Sequence, residues 1–352
     1  MIEGSAIDYR LPSKKVSPMS QEIERKTLLI LKIVRDSVAP VGARVISRRL
    51  QDYGVTLSER AVRYHLRFMD ERGLTELIGK LDGRIITNMG IEEIQHAMVR
   101  DKIGFVISRI EILSFRTTFD PVRRQGLIPM NISFLPREHL SEAFKVMAAA
   151  FEANLKVSDL VAVAHEGQRI GDALVPAGKV GFATVCSIVT NGVMLKNGIP
   201  MDSKFGGILQ MTKGRPIRFV ELIYYSGSSL DPSEAFIRGK MTSVREVIAN
   251  GEGKILANFR EIPAPCMDKV RELVSNLRKA GMNGVLATGE IGEAICQIPV
   301  DIHKVGMILI GGLNPTAAVH EADIPIENHA MSTMLEYGDL RPFTEVYEEM
   351  SI

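Results

Sequence analysis

Tryptophan is absent from this chain, and cysteine occurs three times, as Cys186, Cys266 and Cys296. An odd, scattered set outside any CxxC or Cys/His cluster excludes a disulfide framework and a structural zinc site, and it points to a reduced, cytoplasmic setting. The histidines lack metal-ligand spacing. Net charge is only +1 over 352 residues, so no global charge argues for nucleic acid or a membrane surface. The longest apolar run, Val305 to Leu313, falls far short of the ~20 residues of a spanning helix. The first 20 residues have no secretory apolar region and read as a loose polar arm.

Catalytic signatures are missing as well. There is no HExxH, no Ser-His-Asp order, no P-loop and no dinucleotide fingerprint. "NGEGKI" near Gly253 lacks the flanking residues of a P-loop and reads as a turn. The chain is read as a non-enzyme with no cofactor and no metal.

What is present begins with an uneven charge. Residues 21–100 hold 14 Lys and Arg against 11 Asp and Glu, so a basic N-terminal module precedes a slightly acidic body. Helical spacing predicts a first helix over 21–37 and a short second one from Ala43, stopped by Gly54. A third helix lies within "VTLSERAVRYHLRFMDERGL" and is capped by Ser58 or by Thr56 with Glu59 three residues on. Its buried stripe is Val62, Leu66 and Met69. Its opposite face carries Arg60, Arg63, Tyr64 and Arg67. Two β-prone runs around "GKLDG" then predict a hairpin. Three helices followed by a hairpin is the winged helix-turn-helix layout, with the third helix reading DNA. Ser58, Arg60, Arg63, Tyr64 and Arg67 are its candidate DNA contacts, and Lys80 and Arg84 on the wing suit phosphate. His65 is expected to pack within this module. The domain expectation is an arm over 1–20, a winged helix over 21–90, a helical linker over 91–116 and a body over 117–352.

The body is a duplication. Displaced by 125 residues, it falls on itself: Thr117 meets Thr242, Gly126 meets Gly251, Phe134 meets Phe259, and Lys179–Gly181 meets Lys304–Gly306. Ile199-Pro200 meets Ile324-Pro325, and after one extra residue Arg215-Pro216 answers Arg341-Pro342. The copies span 117–222 and 242–348. Each reads as a strand, a long helix, a second strand, a linking segment and a strong apolar strand, "VGFATVCSIV" or "VGMILIG". This predicts an α/β body of two duplicated lobes with a cleft between them.

One local pattern suits a ligand. "MILIGGLNPTAAVHEA" is a strand, a Gly pair and a helix start, with Asn314 as the expected N-cap and Pro315 at the first turn. Free N–H groups at such a start attract anions. In the first copy Cys186 and Ser187 stand opposite Gly311 and Gly312, and Thr190 and Asn191 opposite Pro315 and Thr316. If the copies face each other, these turns line one pocket. The plainer alternative is that Gly311 and Gly312 only allow close packing. "DSKFGGIL" with Lys204, and "HEGQRIG" with His165 and Arg169, are further candidate anion contacts.

Taken together, "SERAVRYHLRFMDERGL", "KVGFATVCSIVTNG", "DSKFGG" and "IGGLNP" resemble the nitrogen-regulatory repressors of methanogenic archaea, the NrpR type. The resemblance covers nearly the whole chain after residue 20 and rests on the body motifs. It implies a repressor that binds palindromic, double-stranded operators of nitrogen-assimilation genes and is released by 2-oxoglutarate. It implies an effector-binding role for Cys186, Ser187, Thr190, Asn191, Gly311, Gly312, Asn314 and Thr316. Some members carry two effector domains and this chain carries one, so it is expected to act as a homodimer or with a companion chain that lacks the DNA-binding module. Two other readings stay open: an α/β enzyme acting on a keto acid while tethered to nucleic acid, and a regulator with another effector or with a protein-binding winged helix.

Overall fold

The computed structural model describes residues 18–37, 39–78, 83–96 and 104–350. They form two compact units divided near residue 97. No helix among the described residues is long and apolar enough to cross a membrane.

The first unit runs α1 (Pro18–Arg35), α2 (Ala43–Asp52), α3 (Glu59–Glu71), β1 (Thr75–Ile78), β2 (Gly83–Ile86) and α4 (Asn88–His96). The apolar stripes converge as their spacing requires. Ile30, Leu31 and Val34 of α1 meet Ile46 and Leu50 of α2 and Val62, Leu66 and Met69 of α3 in one buried cluster. β1 and β2 pair antiparallel from Thr75↔Ile86 to Ile78↔Gly83, and Val41 bridges to Arg84 on the far side. Both elements of the wing are therefore present, whereas its expected turn, with Lys80, lies outside the described residues. So does most of the expected arm, and α1 starts at Pro18, before Gln21. The helical linker expected over 91–116 is described in two pieces, α4 and, in the second unit, α5 (Phe105–Arg116).

The second unit continues with β3 (Leu127–Pro136), α6 (Leu140–Glu152), β4 (Leu160–Ala164), β5 (Arg169–Ile170), β6 (Ala173–Leu174), β7 (Lys179–Val185), α7 (Ile188–Lys196), β8 (Asp202–Thr212) and β9 (Arg215–Tyr224). After α8 (Pro232–Arg238) and α9 (Val244–Asn250) the pattern returns: β10 (Gly253–Pro263), α10 (Met267–Lys279), β11 (Val285–Ile291), β12 (Lys304–Ile310), α11 (Asn314–Glu321) and β13 (Glu327–Glu336). Then the copies part. β14 (Arg341–Pro342) is two residues long and leads into α12 (Phe343–Met350), where the first copy has the ten-residue β9.

The repeat boundaries are not the lobe boundaries. One five-stranded sheet runs β13-β3-β7-β4-β14, and the other β11-β12-β10-β8-β9. Each lobe thus takes three strands from one copy and two from the other. β8 pairs with β10 from Gly253↔Met211 to Glu261↔Asp202, and β13 pairs with β3 from Glu327↔Phe134 to Glu336↔Leu127. All these pairings are antiparallel. The exchange holds the copies together through main-chain hydrogen bonds, which side-chain pattern does not reveal.

The apolar run expected as one strand, Val180 to Val189, breaks at Val185. Ile188 opens α7, every residue of which from Ile188 to Met194 is buried. A helix buried all round has no polar face, so its sequence reads like that of a buried strand. α5 packs against α7, and α6 against α11 and α12. At the α6–α12 contact Phe343 stacks on Phe151 with ring centroids 4.0 Å apart.

Candidate functional site

The first candidate surface is α3. Ser58 caps it: its side chain accepts from the Ala61 N–H at 3.2 Å. The cap therefore falls on Ser58 rather than Thr56, and Glu59 turns to Arg63 instead, at 3.1 Å. With Val62, Leu66 and Met69 buried, the helix geometry leaves Arg60, Arg63, Tyr64 and Arg67 outside. Tyr64 is 73% exposed. Arg63 and Arg67 are held along the helix by Glu59 and Glu71 in exposed i,i+4 pairs, both at 3.1 Å. Such pairs are weak enough for a phosphate or guanine to displace. Phe68, half exposed beside them, is not among the residues that the sequence singled out.

Arg84 does not belong to that surface. It is buried, and its Nε donates to Asp70 Oδ2 at 2.9 Å. The Thr75 hydroxyl donates to the other oxygen of Asp70 at 2.6 Å. Arg84 thus ties the wing to α3, and a guanidinium locked on a carboxylate inside the fold is not offered to phosphate. His65 is half-buried, and burial, with Lys26 nearby, holds its imidazole below the usual range.

The second candidate is a cavity in the body. The turns after β7 and β12 both reach it: Cys186, Ser187 and Ile188 from one copy, Gly312 and Leu313 from the other. Asn131, Asn258 and Arg260 line it from the inner strands β3 and β10, Tyr225 and Asp231 from the segment leading into α8, and Ser233 from its first turn. The volume open to water centres is ≈ 20 Å³, room for about one water.

Its walls are a polar network. Tyr225 donates its hydroxyl to Asn258 Oδ1 at 2.5 Å, and Asn258 Nδ2 donates to Ser187 Oγ at 3.1 Å. Arg260 Nε donates to Asn191 Oδ1 at 3.4 Å, and Asn191 Nδ2 to Ser203 Oγ at 3.0 Å. The guanidinium sits over the Tyr225 ring, 4.9 Å from its centroid. Asn131 Oδ1 accepts from the Met331 N–H at 3.1 Å, in a left-handed kink (φ 53°) that interrupts β13. Burial pushes the Cys186 thiol up to about 12, so it is a neutral wall and no nucleophile. Burial, with Glu234 beside it, raises the Asp231 carboxyl to about 6. Asp231 Oδ1 caps α8 by accepting from the Ser233 and Glu234 N–H groups at 2.8 and 3.3 Å.

The eight residues singled out in the body thus divide. Cys186, Ser187 and Gly312 line the cavity, and Asn191 touches it through Arg260. Gly311 packs on Leu256, where an added Cβ would stand 2.6 Å from the Leu256 Cβ. Gly312 packs as closely on Val185. Asn314 is not the N-cap of α11; Leu313 is. Instead the Asn314 amide clasps the β10 main chain, accepting from Leu256 N–H at 2.8 Å and donating to its carbonyl at 3.0 Å. Thr316 donates to the Leu313 carbonyl at 3.1 Å, and Thr190 is buried in the equivalent helix α7, neither of them on the cavity wall. Gly206 and Gly207 lie inside β8 rather than on a lip, and Lys204 is occupied by Asp202 and Glu261 at 2.7 and 3.1 Å. The main chain of His165 and Gly167 forms an exposed turn between β4 and β5, with Arg169 donating to the Asp172 carbonyl.

Arg260, Asn258 and Tyr225 were missed. The signal was there in the repeat: next to the matched Phe134 and Phe259, Arg260 stands where the first copy has Leu135. An arginine replacing a leucine in a buried strand asks for a reason.

Comparison with known proteins gives the family. Residues 103–342 match the family model of NrpR regulatory domains NRD1 and 2, and residues 28–94 match a ribonuclease R winged-helix domain. The chain is 40% identical over 323 residues to the global nitrogen regulator NrpRI of Methanosarcina mazei, covering 92% of this chain and 99% of that one. It is 33% identical over 320 residues to the global nitrogen regulator NrpR of Methanococcus maripaludis, covering 91% of this chain but 56% of the relative. A crystal structure of a nitrogen repressor-like protein from Methanococcus jannaschii superposes with a TM-score of 0.59 at 29% identity, over 68% of this chain and 99% of that one. The chain belongs to the NrpR family of global nitrogen regulators, a family of regulators rather than enzymes.

Proposed function

We propose that this protein is a cytoplasmic repressor that binds an inverted-repeat operator through α3 and is released when 2-oxoglutarate enters the body. The observation that carries the reading is the α3 face: capped by Ser58, presenting Arg60, Arg63, Tyr64 and Arg67 to solvent, on a fold whose recognition helix enters the major groove. Residues 21–90 are the DNA-binding domain and 117–352 the effector and dimerisation domain. A homodimer, or a pair with a companion chain that lacks the winged helix, sets two α3 helices at a fixed spacing, so the operator is an inverted repeat.

The cavity supports the effector half of the reading. It joins both copies, carries amides, hydroxyls, one guanidinium and the Asp231 carboxyl among apolar side chains, and is too small for a five-carbon dianion until its walls move. Binding therefore favours an opened arrangement, and release from DNA follows if that arrangement fits the operator less well. The test is fluorescence anisotropy on a labelled promoter fragment of a nitrogen-assimilation gene, with and without millimolar 2-oxoglutarate. Tight binding that the keto acid weakens is the expected result. DNA binding that ignores it sinks the effector half, and absence of binding at low salt sinks the whole.

A further inference from the structure

We propose that Arg260 is the anchor of the body's ligand: it takes a carboxylate of a small organic acid inside the cavity, while neutral amides and hydroxyls hold the rest. The inference rests on the effector reading only for the choice of probe.

Arg260 is 1% exposed, among the largest fully buried side chains described. Buried charge is retained where it is paired, and a buried arginine is ordinarily met by a carboxylate. Among the described residues Arg260 forms no ion pair. Its partners are the Asn191 carboxamide at 3.4 Å, the Phe259 carbonyl at 3.2 Å and Tyr225, whose ring and hydroxyl it meets. A guanidinium has five N–H donors, so these bonds leave capacity for a planar, two-oxygen acceptor. The acid on the same wall, Asp231, is turned to the N–H groups of α8.

Three further features favour negative charge at the same spot. α7 starts at Ile188 and α11 at Asn314, and both starts reach the cavity through Ser187–Ile188 and Gly312–Leu313. Their positive dipole ends come from equivalent places in the two copies and add to the field of Arg260. Asn258 and Ser187 supply uncharged donors within the same network. Finally, the charge is unique to one copy: Leu135 and Ser133 stand at the places of Arg260 and Asn258. A fold that needed a cation here for its own sake would need it in both lobes.

The test is isothermal titration of the full-length protein with 2-oxoglutarate, glutarate and citrate, in wild type, Arg260→Gln and Asn258→Asp. Losing a charge-assisted bond lowers affinity by at least about tenfold, and this loss is expected in Arg260→Gln. Asn258→Asp keeps the acceptor for Tyr225 and puts a carboxylate on the cavity wall beside Arg260. It should block the ligand and remain folded, so it decides the matter if Arg260→Gln fails to fold. Retained binding in a folded Arg260→Gln, or in Asn258→Asp, overturns the proposal and leaves the effector reading intact. Binding of glutarate or citrate but not 2-oxoglutarate, lost in both variants, upholds the anchor and overturns the effector. A wild type that binds none of the three overturns both.

Discussion

A methyl group placed on Gly312 tests how the two copies meet. A Cβ there would lie 2.5 Å from the Val185 carbonyl oxygen and 2.6 Å from Asn131 Nδ2. Ordinary contact begins at 3.4 Å, so the turn after β12 must retreat by about 0.9 Å from the end of β7. Neither neighbour yields easily. Val185 presents main chain at the end of an inner strand, and Asn131 is held by the Met331 N–H at 3.1 Å and by Thr184 at 3.3 Å. Overpacking of this kind costs about 1–3 kcal/mol, and breaking the Asn131 bonds adds ~1 kcal/mol. Gly312→Ala is therefore expected to lose roughly 2–4 kcal/mol of body stability. Urea unfolding followed by far-UV circular dichroism reads it, since the chain has no tryptophan to report by fluorescence. The midpoint should fall with an unchanged slope. Gly227→Ala is the control, because a Cβ there meets nothing within 4 Å. If the two variants unfold within ~0.5 kcal/mol of each other, the close contact between the copies does not exist as described.

Asn314→Ala should destabilise the body by about 1–3 kcal/mol, because it strips the buried Leu256 N–H of its partner and takes one of two donors from each of two carbonyls; a loss below ~0.5 kcal/mol in the same urea assay removes its structural role. Asp231→Asn keeps a good cap and removes a carboxyl that burial raises from 3.8 to about 6. An acid raised on folding binds its proton more tightly in the native state, so the wild type loses stability as pH rises from about 4 to about 6. The variant should be the more stable protein above pH ~6 and lose that advantage below pH ~4; melting curves with the same gap at every pH refute this. Arg63→Ala should weaken operator binding by about 1–3 kcal/mol if it meets a base, while stability moves by less than ~0.5 kcal/mol because its Glu59 pair is exposed. Anisotropy curves that overlay the wild type rule out the contact.

The winged helix was legible because its signals are local. Val62, Leu66 and Met69 repeat at helical period, Ser58 caps and Gly73 stops. Arg84 was misread for the same reason: a basic residue on a short strand looks exposed until Asp70, 14 residues away, is seen to hold it. In the body, internal repetition told that two copies exist and which turns correspond. It placed Cys186 opposite Gly311, and both turns do meet at one cavity. Asn314 fits the pattern of a cap equally well in sequence, but its amide finds a better-matched partner in the Leu256 main chain across the fold.

By itself the sequence determined the two units, the type and order of most elements, the duplication and the face of α3. Each follows from hydrophobic period, capping and glycine, which act over a few residues. The tertiary structure decided which strands pair. β8 and β13 cross to the other copy's sheet because edge main-chain groups must find partners, and no side-chain period records that choice. It also decided what fills the junction: Arg260, Asn258 and Tyr225 lie far apart from Ser187 and Asn191 in sequence, and only the exchanged sheets bring them into one hydrogen-bonded network at the cavity.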